Sequence, residues 1–487
     1  MQPKILRATW SHLRVNKYVN IIGQNTTKNP SIILLTKQKE NIMTLKELGF
    51  NEIDHESLVK TDTPYKIYAE LLDETAQTQF EDVLREPYVT RGALMPDAHA
   101  GFTMPIGAVC ATKDVVVPQF VGFDIGCGMC AYKTDYTKAE VQTHAKEIYN
   151  AIVERIPLGS RKHKNHQPLK TDLDITPFAA SILNSTGLKQ LGTLGGGNHF
   201  IEVGYGADEK AWIVIHSGSR GFGHKIASHY MIQAYLLKYD QKDALKERLE
   251  EFTNRNAGFK AHNPEGFEKA LLKFKHKQML EINKQIKPDD IKEICGLNVD
   301  SELGQAYITD QNFALNFAVE NRKLMIARIH EAMNEIIGGS YAFEAEDETR
   351  FINRNHNHAD FDEVSKEWIH RKGATHAEKG MRGVIPGNMR DGSFVVIGKG
   401  NKDALKSSSH GAGRVMSRKK ARANVKLEDF QASMQGITGT VDENTLDESP
   451  FAYKDIFEVM RLQDELVEVE EHIKVLINVK DNSKSRY

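Results

Sequence analysis

The chain has 487 residues, and its 64 lysines and arginines against 66 aspartates and glutamates leave a formal net charge of −2. Its 40% hydrophobic and 27% charged residues are typical of a globular protein, which excludes collagen, a coiled coil and wholesale disorder. No apolar run approaches the ~20 residues of a membrane-spanning helix and no secretory signal is evident, so we expect a cytoplasmic protein.

Glycine-rich strands follow a distinct N-terminal region. Residues 1–60 contain polar turns and few glycines, and we expect them to form a peripheral extension. Two segments between residues 92 and 128 combine glycines with β-branched runs, MPIGAVCAT and DVVVPQFVGFDIGCGM, which predicts buried strands joined by tight turns. Residues 191–225 show the same arrangement, with strands ending in glycine turns that carry polar residues.

Helical periodicity replaces the glycines over residues 226–338. The segment KDALKERLEEF predicts an exposed charged helix, and residues 313–329 have a broad apolar face that Gly338 and Gly339 should terminate. A third block of polar residues and glycines spans residues 351–418, and residues 455–479 are predicted to form a long C-terminal helix. We see no repeat and no clean linker. We therefore expect a mixed α+β fold with one large catalytic domain, residues 61–487, whose glycine turns converge on one metal site.

The first candidate site contains an aspartate and a cysteine. The four cysteines are too few for a disulfide framework, so they are either core thiols or reactive groups. Asp124 and Cys127 share a turn that Gly126 and Gly128 permit, and a carboxylate and a thiolate so placed can bind one divalent ion. Two alternatives stay open, a core cysteine beside a turn-forming aspartate and a structural Cys-x-x-Cys half-site. A four-cysteine zinc site is excluded because no second Cys-x-x-Cys exists.

Histidines form the second candidate group. One histidine in a turn is most often a surface residue, but five occur beside glycine or asparagine at predicted strand ends. These five are His99, His199, His216, His356 and His410. A mixed Asp/Cys/His site would suit Mn²⁺, Zn²⁺, Fe²⁺ or Co²⁺ better than Mg²⁺ or Ca²⁺.

Small-residue turns indicate phosphate binding. Residues 195–197, 217–221 and 407–414 can present backbone amides to an anion, and an arginine or a histidine accompanies each turn. None matches a Walker A or a Rossmann fingerprint. Six basic residues without an acid lie between residues 413 and 426, which fits a solvated helix face or a polyanion track. Since the net charge is near zero, a polyanion must be bound by such a local patch. The residues thus limit the class to nucleotidyl or phosphoryl transfer, without deciding the reaction.

The sequence blocks together resemble one protein family. From about residue 70 to residue 480 the chain contains, in order, MPDAHAG, VGFDIGCGM, LGTLGGGNHFIEV, IHSGSRG, HRKGATHAEKG, IPGNM, SSSHGAGRVMSR and AYKDI. These blocks resemble the RtcB family of RNA-splicing ligases, and their combination is highly specific. The resemblance implies a large mixed domain of the RtcB type.

The resemblance also implies an activity. Members of the family use GTP and Mn²⁺, with two ions per site, to join a 3′-phosphate or 2′,3′-cyclic-phosphate RNA end to a 5′-hydroxyl end. A histidine receives GMP from GTP and passes it to the RNA 3′-phosphate, which the 5′-hydroxyl then attacks. The expected partners are therefore GTP and RNA with these ends, in RNA repair or tRNA splicing.

Roles follow for residues that match the family's motifs. The resemblance implies that His410 is the guanylylated histidine and that Asp97 is an acid needed for later steps. The implied metal ligands are Asp124, Cys127, His199, His216 and His356, with Cys127 bridging the two ions. The implied nucleotide contacts are Asn198, Glu202, Asn357, Gly411, Ala412, Gly413, Arg414, Tyr453 and Lys480. The implied phosphate or RNA contacts are Arg220, Lys372, Arg414 and Arg418.

The match has one ambiguity at the metal ligands. The family commonly has two histidines before an asparagine, whereas this chain has Asn355, His356 and Asn357, so His358 is a rival to His356. Two other functions remain open at this point. One is a metal-dependent cyclic phosphodiesterase or nucleotidyl hydrolase, and the other is a non-catalytic sensor of broken RNA ends.

Overall fold

A computed structural model describes residues 49–53, 61–239 and 244–483 of the chain, and these residues belong to one compact unit. The predicted N-terminal extension lies outside the described residues except for residues 49–53, and its boundary at residue 60 stays a prediction. Residues 242 and 243 of the predicted charged helix also lie outside them.

Strands in the described residues vary from two to thirteen residues in length. They are β1 (Phe50–Glu52), β2 (Tyr65–Ile67), β3 (Leu71–Asp73), β4 (Val89–His99), β5 (Ile106–Thr112), β6 (Val115–Val116), β7 (Gly128–Thr137), β8 (Phe200–Tyr205), β9 (Lys210–Ser217), β10 (Leu297–Asn298), β11 (Phe351–Asn355), β12 (Asn357–Asp362), β13 (Glu367–Lys372), β14 (Ala374–His376), β15 (Arg382–Pro386), β16 (Ser393–Gly398), β17 (Ser407–Ser409), β18 (Thr438–Gly439) and β19 (Val467–Val479).

Helices account for most of the middle of the chain. They are α1 (Glu74–Leu84), α2 (Pro118–Val121), α3 (Lys138–Thr143), α4 (Ala145–Arg155), α5 (Pro177–Ile182), α6 (Leu188–Gln190), α7 (Arg220–Tyr239), α8 (Ala244–Arg255), α9 (Ala257–His262), α10 (Pro264–Gln285), α11 (Glu302–Ile337), α12 (Arg418–Asn424), α13 (Leu427–Ser433) and α14 (Ile456–Arg461). Among them, none has the length and apolar content needed to cross a bilayer.

The described residues form two main β-sheets. The larger has eight strands, in the order β11-β7-β9-β8-β19-β16-β15, with β18 beside β19. The smaller has the order β12-β13-β5-β4-β2. Three strand pairs lie outside them, β1 with β3, β6 with β10 and β14 with β17. The predicted mixed α+β class is therefore confirmed.

Both faces of the larger sheet are buried, which explains the uninterrupted apolar run WIVI in β9. Ile213 and Ile215 pack in a cluster with side chains of α4 and α11. Trp212 and Val214, which point to the other face, pack with residues of β15 and β16. Since β15 also contacts β7 and β11, the sheet curls around this second cluster.

The long helix α11 confirms one prediction and supplies the core with its largest helical face. Ser301 caps its first turn by accepting a hydrogen bond from the Gly304 amide at 3.0 Å. Gly338 ends it with φ +93°, a left-handed conformation that glycine adopts without strain. Its buried side chains include Phe313 and Phe317, within the apolar face that the sequence predicts.

Two segments differ from the predicted secondary structure. Residues 455–479 form the short helix α14 and then the thirteen-residue strand β19, so the predicted C-terminal helix is wrong. Its β-branched residues suit a strand, and β19 gains hydrogen-bonding partners on both sides from β8 and β16. In the segment DVVVPQFVGFDIGCGM, where the sequence predicts strands joined by turns, the strands are limited to β6 and the start of β7, because Pro118 starts α2.

Candidate active site

Four predicted metal ligands lie together at the ends of four neighbouring strands of the larger sheet. The strands β11, β7, β9 and β8 are neighbours and run antiparallel, so starts and ends alternate there. His356 directly follows β11, and Cys127 directly precedes β7. His216 is the second-last residue of β9, and His199 directly precedes β8. The sheet register, rather than closeness in sequence, assembles this cluster.

The ligand atoms of the cluster lie within contact distance of one another. The Cys127 Sγ is 3.4 Å from the His199 Nε2 and 3.2 Å from the His216 Nε2, and the His216 Nε2 is 3.2 Å from the His356 Nε2. The Asp124 Oδ2 is 2.9 Å from the His199 Nε2. The structure therefore brings all five predicted ligands together. His358 instead lies near Asp360 and Arg371, so its position favours His356 as the ligand.

Two consecutive side chains of α11 hold the loops that carry these ligands. The buried Asn321 accepts hydrogen bonds from the amides of Gly192 and Thr193 and donates one to the Gly218 carbonyl. The buried Arg322 donates to the carbonyls of Gly126 and Ser217. Buried backbone groups need such partners, so these two residues make irregular loops possible inside the protein. The sequence analysis did not identify either residue.

The electrostatics of the cluster suit a cation. Burial would raise the pKa of Asp124, but its hydrogen bond with His199 and the charges of His199 and Arg220 lower that pKa to about 2. Burial lowers the pKa of His216 and His356 well below the usual range, which keeps both imidazoles neutral. Burial and the Asp124 charge raise the pKa of Cys127, so a bound cation would be needed to favour its thiolate.

A divalent metal fits this donor set. The ligand atoms of Cys127, His199 and His216 all lie within 4.8 Å of one another. The His199 Nδ1 lies 3.0 Å from the Leu194 carbonyl oxygen, and such a hydrogen bond fixes the ring so that Nε2 faces the cluster. One sulfur, several imidazole nitrogens and one carboxylate form the mixed set that transition metals prefer.

His410 lies beside the cluster and is held by a buried carboxylate. Its ring centroid is 4.7 Å from that of His356, and its Nδ1 is 2.6 Å from the Asp97 Oδ2. The same oxygen accepts hydrogen bonds from the amides of His410, at 3.2 Å, and Gly411, at 3.3 Å. Burial opposes the charge on Asp97, but His410 lowers the pKa of that carboxyl. Because Asp97 occupies Nδ1, the ring presents Nε2 for chemistry.

Gly413 lets the chain pass closely over Asp97. Its φ is +74°, and a Cβ there would lie 2.2 Å from the Asp97 carbonyl oxygen. Gly195 has a similar role at the metal cluster, since a Cβ at that position would lie 2.2 Å from the Arg220 Nη1 and 2.6 Å from the His199 Nδ1. Both glycines belong to turns that the sequence analysis interpreted as phosphate-binding.

A cleft of about 730 Å³ opens over His410. Its walls contain the predicted residues Asn198, His216, His410, Gly411, Ala412, Gly413, Arg414, Arg418, Tyr453 and Lys480. His99 also lines it, although the sequence analysis gave that histidine no role.

Four predicted contact residues do not line the cleft. Glu202 is buried in β8, and burial raises its pKa to about 8. Asn357 donates to the Asp124 carbonyl and accepts from the Gly373 amide. Lys372 donates to the Gln119 carbonyl at 3.3 Å, and burial lowers its pKa to about 7. Arg220 donates to the Gly159 carbonyl at 3.0 Å and lies close to His199.

Two acids, Asp447 and Glu448, contact arginines of the basic segment that spans residues 413–426. Glu448 accepts hydrogen bonds from the Lys480 Nζ at 2.6 Å, the Tyr453 hydroxyl at 2.7 Å and Arg414 at 3.3 Å, and it also contacts Arg418. Asp447 accepts from Arg418 and Arg422. The sequence analysis missed both acids, whose position just before AYKDI was the available signal. Three arginines of the segment, Arg414, Arg418 and Arg422, therefore face carboxylates, and its role as a polyanion track stays a prediction.

Comparison of the sequence with known proteins shows which family this chain is similar to. The sequence model of a family described as "tRNA-splicing ligase RtcB" matches residues 79–181 and 177–481. The chain is 30% identical to "RNA-splicing ligase RtcB" of Escherichia coli (strain K12) over 451 residues, which cover 88% of this chain and all of that protein. It is 27% identical to "tRNA-splicing ligase RtcB" of Nanoarchaeum equitans over 490 residues, covering 84% and 92% of the two chains. It is 26% identical to "RNA-splicing ligase RtcB homolog 1" of Entamoeba dispar over 452 residues, covering 77% and 75%.

Proposed function

This chain belongs to the RtcB family, and from that membership we propose that it is an RNA ligase that uses GTP and Mn²⁺. It joins a 2′,3′-cyclic-phosphate or 3′-phosphate RNA end to a 5′-hydroxyl end through a GMP-histidine intermediate, in RNA repair or tRNA splicing. The names of its relatives, RNA-splicing and tRNA-splicing ligases, support the RNA substrate.

One observation carries the proposal, namely the contact between His410 and Asp97. A buried carboxylate 2.6 Å from the His410 Nδ1 selects the tautomer in which Nε2 has its lone pair free. The His410 Nε2 attacks the α-phosphorus of GTP, an N–P bond forms, and the bond to the pyrophosphate leaving group breaks. Where the RNA end is a 2′,3′-cyclic phosphate, water first opens the ring to give a 3′-phosphate. An oxygen of the 3′-phosphate then attacks the phosphorus of GMP and the N–P bond to His410 breaks, which gives the 3′-phosphate the leaving group it lacks. In the last step the RNA 5′-hydroxyl attacks the activated phosphate and GMP leaves.

The metal site would hold two Mn²⁺ ions. Asp124, Cys127 and His199 would bind one ion, and Cys127, His216 and His356 the other. Bound there, the ions would polarise phosphoryl oxygens and neutralise developing negative charge. The short distances among the Cys127 Sγ and the imidazole nitrogens support a shared site.

The residues that line the cleft over His410 support nucleotide binding there. Asn198, Tyr453 and Lys480 line the cleft together with the glycine turn Gly411, Ala412 and Gly413, whose backbone amides suit an anion. Arg414 and Arg418 line the same wall and would contact phosphates. Glu202, Asn357, Arg220 and Lys372 lie behind the cleft surface, so we propose that they act by supporting the loops of the site.

We also propose that the protein acts in the cytoplasm. All four cysteines are free in the structure, and three of them, Cys110, Cys130 and Cys295, are buried in hydrophobic clusters. Unpaired thiols are typical of proteins from a reducing compartment.

Labelling with GTP tests the proposal directly. The protein is incubated with α-³²P-GTP and Mn²⁺ and separated on a denaturing gel, beside His410→Ala and the control His376→Ala. His376 is a suitable control because it also has a carboxylate neighbour, Glu378 at 3.3 Å, and does not line the cleft. We expect acid-labile label on the wild type and on His376→Ala, and none on His410→Ala.

Ligation of RNA completes the test. RNA with a 2′,3′-cyclic phosphate is supplied with and without a 5′-hydroxyl partner strand, and the joined product should form only with the partner and only with His410 present. Normal ligation by His410→Ala would refute the assignment. Opening of the cyclic phosphate without joining when the 5′-hydroxyl partner strand is present would instead indicate the hydrolase, and tight RNA binding without any covalent nucleotide would indicate the sensor.

A further inference from the structure

Three aromatic rings form a stack next to the metal cluster. The ring centroids of Phe123 and His224 are 5.1 Å apart with planes inclined by 19°, so these two rings are stacked. The ring centroids of Phe102 and Phe123 are 5.3 Å apart with planes inclined by 49°, so Phe102 packs on the pair at a tilt. We call Phe102, Phe123 and His224 the aromatic stack. The mechanism proposed above uses none of these residues.

Each ring of the stack lies within four residues in sequence of a residue of the site. Phe102 follows His99, which lines the cleft, and Phe123 directly precedes Asp124. His224 lies one helical turn after Arg220 in α7, so both side chains lie on the same side of that helix. The Asp124 side chain is 33% exposed, whereas that of His199 is 5% exposed, so the cluster opens towards solvent on the Asp124 side.

Packing does not account for the whole stack. Phe123 contacts the hydrophobic cluster beneath α7. Phe102, in contrast, belongs to no hydrophobic cluster of the described residues and is partly exposed in a loop. His224 is exposed and forms the outer end of the stack. Aromatic side chains left partly open at a surface are costly to hydrate, which suggests that a planar group covers them in the working protein.

One lysine contacts a ring of the stack, and a second lysine follows His224 in the sequence. The Lys292 Nζ lies 4.9 Å from the centre of the Phe102 ring, and Lys225, next to His224, is exposed. Single-stranded nucleic acids are bound by this combination of stacked rings and cationic side chains, because every base has an aromatic face and every nucleotide a phosphate.

We propose that the aromatic stack binds an unpaired nucleotide of the RNA substrate near one of the ends to be joined. The base stacks on the rings, and Lys292 and Lys225 contact the flanking phosphates. The identity of the ligand as RNA rests on the proposed function. The stack then guides one RNA strand towards the Asp124 side of the metal cluster, while the cleft over His410 binds the guanine nucleotide.

Equilibrium binding separates this proposal from the ligase assignment. The dissociation constant of a fluorescent single-stranded oligoribonucleotide is measured by anisotropy at several salt concentrations, which needs neither GTP nor ligation. We expect Phe102→Ala and His224→Ala each to weaken binding by about tenfold, the effect of losing one stacked base. The slope of log Kd against log salt should stay unchanged in both, because stacking releases no counterions, and Phe102→Trp should restore binding. Lys292→Ala should reduce that slope by about 0.7.

Phe361→Ala is a matched control. Phe361 is 40% exposed, has Trp368 at 5.6 Å between ring centres, and has the Lys366 Nζ 5.9 Å from its ring. It therefore reproduces the composition of the aromatic stack elsewhere, and its loss should leave Kd unchanged. Equal binding by wild type, Phe102→Ala and His224→Ala would overturn the proposal, even if ligation occurs. Loss of binding in these two variants from a wild type that joins no RNA would uphold the stack and refute the ligase.

Discussion

At the scale of single residues, the pairing of a histidine with a buried carboxylate decides what His410 can do. The Asp97 Oδ2 accepts three N–H groups, from the His410 ring, the His410 amide and the Gly411 amide. This arrangement fixes both the ring and the turn that holds it. In the proposed reaction it would also stabilise the positive charge that develops on the ring as Nε2 bonds to phosphorus.

Asp97→Asn tests that role. The variant keeps the shape of the side chain but removes its charge, so the developing imidazolium loses its counterion. Because Asp97 contacts the ring of His410, we expect it to act in the first step as well as in the later steps that the resemblance implies. The rate of GMP labelling of His410 should fall about 100-fold, the lower end of what positioned acid–base groups contribute. The labelling time course gives the rate. Glu378→Gln changes the comparable pair with His376 and should label at the wild-type rate; an equal fall in both variants would contradict a specific role for Asp97.

Glu448 holds the opposite wall of the cleft. It is buried, and it contacts Lys480, Tyr453, Arg414 and Arg418. Burial opposes its ionisation, but the positive charges of Lys480, Arg418 and Arg414 hold its pKa well below the usual range. A carboxylate whose folded-state pKa is lowered stabilises the protein above its unfolded-state pKa, here about 4.5, and this contribution is lost as the pH falls through the folded-state value.

We therefore expect Glu448→Gln to lower the free energy of unfolding by about 3 kcal/mol at pH 7, since it leaves buried cations without their anion. The difference from wild type should stay constant down to about pH 5 and shrink below about pH 4.5, as the Glu448 carboxyl of the unfolded wild type begins to protonate while that of the folded protein stays ionised. Urea denaturation at pH 7, 5 and 4 measures it. Glu470→Gln, at an exposed pair with Arg382, should change little at any of these pH values. A difference that grows on acidification would be inconsistent with this account.

At the scale of elements, the C-terminal segment shows how a sheet overrides a plausible helix pattern. β19 lies between β8 and β16, so both of its edges form hydrogen bonds that an isolated segment would lack. Its apolar residues near the C-terminal end, from Ile473 to Val479, are buried on both faces. The same strand continues directly into Lys480, so the sheet positions that ammonium group in the cleft.

Ile477→Ala tests the position of this strand. Ile477 is fully buried and pairs with Val203 of β8, so its truncation should lower the free energy of unfolding by about 2–4 kcal/mol. Val469 lies in the same strand but is 47% exposed, and Val469→Ala should cost less than 1 kcal/mol. Chemical denaturation of both variants gives the comparison. Equal losses would indicate that β19 is not placed as the structure has it.

At the scale of the whole molecule, the active site is formed from residues far apart in the sequence. Cys127, His199, His216 and His356 come together because the strands that they adjoin are neighbours in the larger sheet. His410 follows β17, which pairs with β14, and Asp97 lies in β4 of the smaller sheet. The site therefore lies where the two sheets meet, and metal binding should stabilise the whole domain.

The metal effect can be measured without an activity assay. We expect saturating Mn²⁺ to raise the melting temperature of the wild type, since an ion at 100 times its Kd adds about 2.7 kcal/mol. EDTA should reverse the shift. Cys127→Ala should remove the shift because its sulfur lies within 3.4 Å of two histidine nitrogens. Cys130→Ala, three residues away in the hydrophobic core, should lower the melting temperature without metal but keep the shift. A full shift in Cys127→Ala would place the ion elsewhere.

The sequence by itself determined the mixed fold class and predicted the residues proposed for the chemistry, because glycine turns, strand-end polar residues and specific motifs are local features. The sequence also predicted the helix of α11 and its end at Gly338, because the spacing of its apolar residues and its terminating glycine are local features as well. The tertiary structure alone decided that residues 467–479 form a strand, since its partners β8 and β16 are distant in sequence. It alone decided between His356 and His358, which differ in the direction of their side chains. It also showed that Asp447 and Glu448 face the arginines of α12, because long-range charge pairing leaves no periodic trace in a sequence.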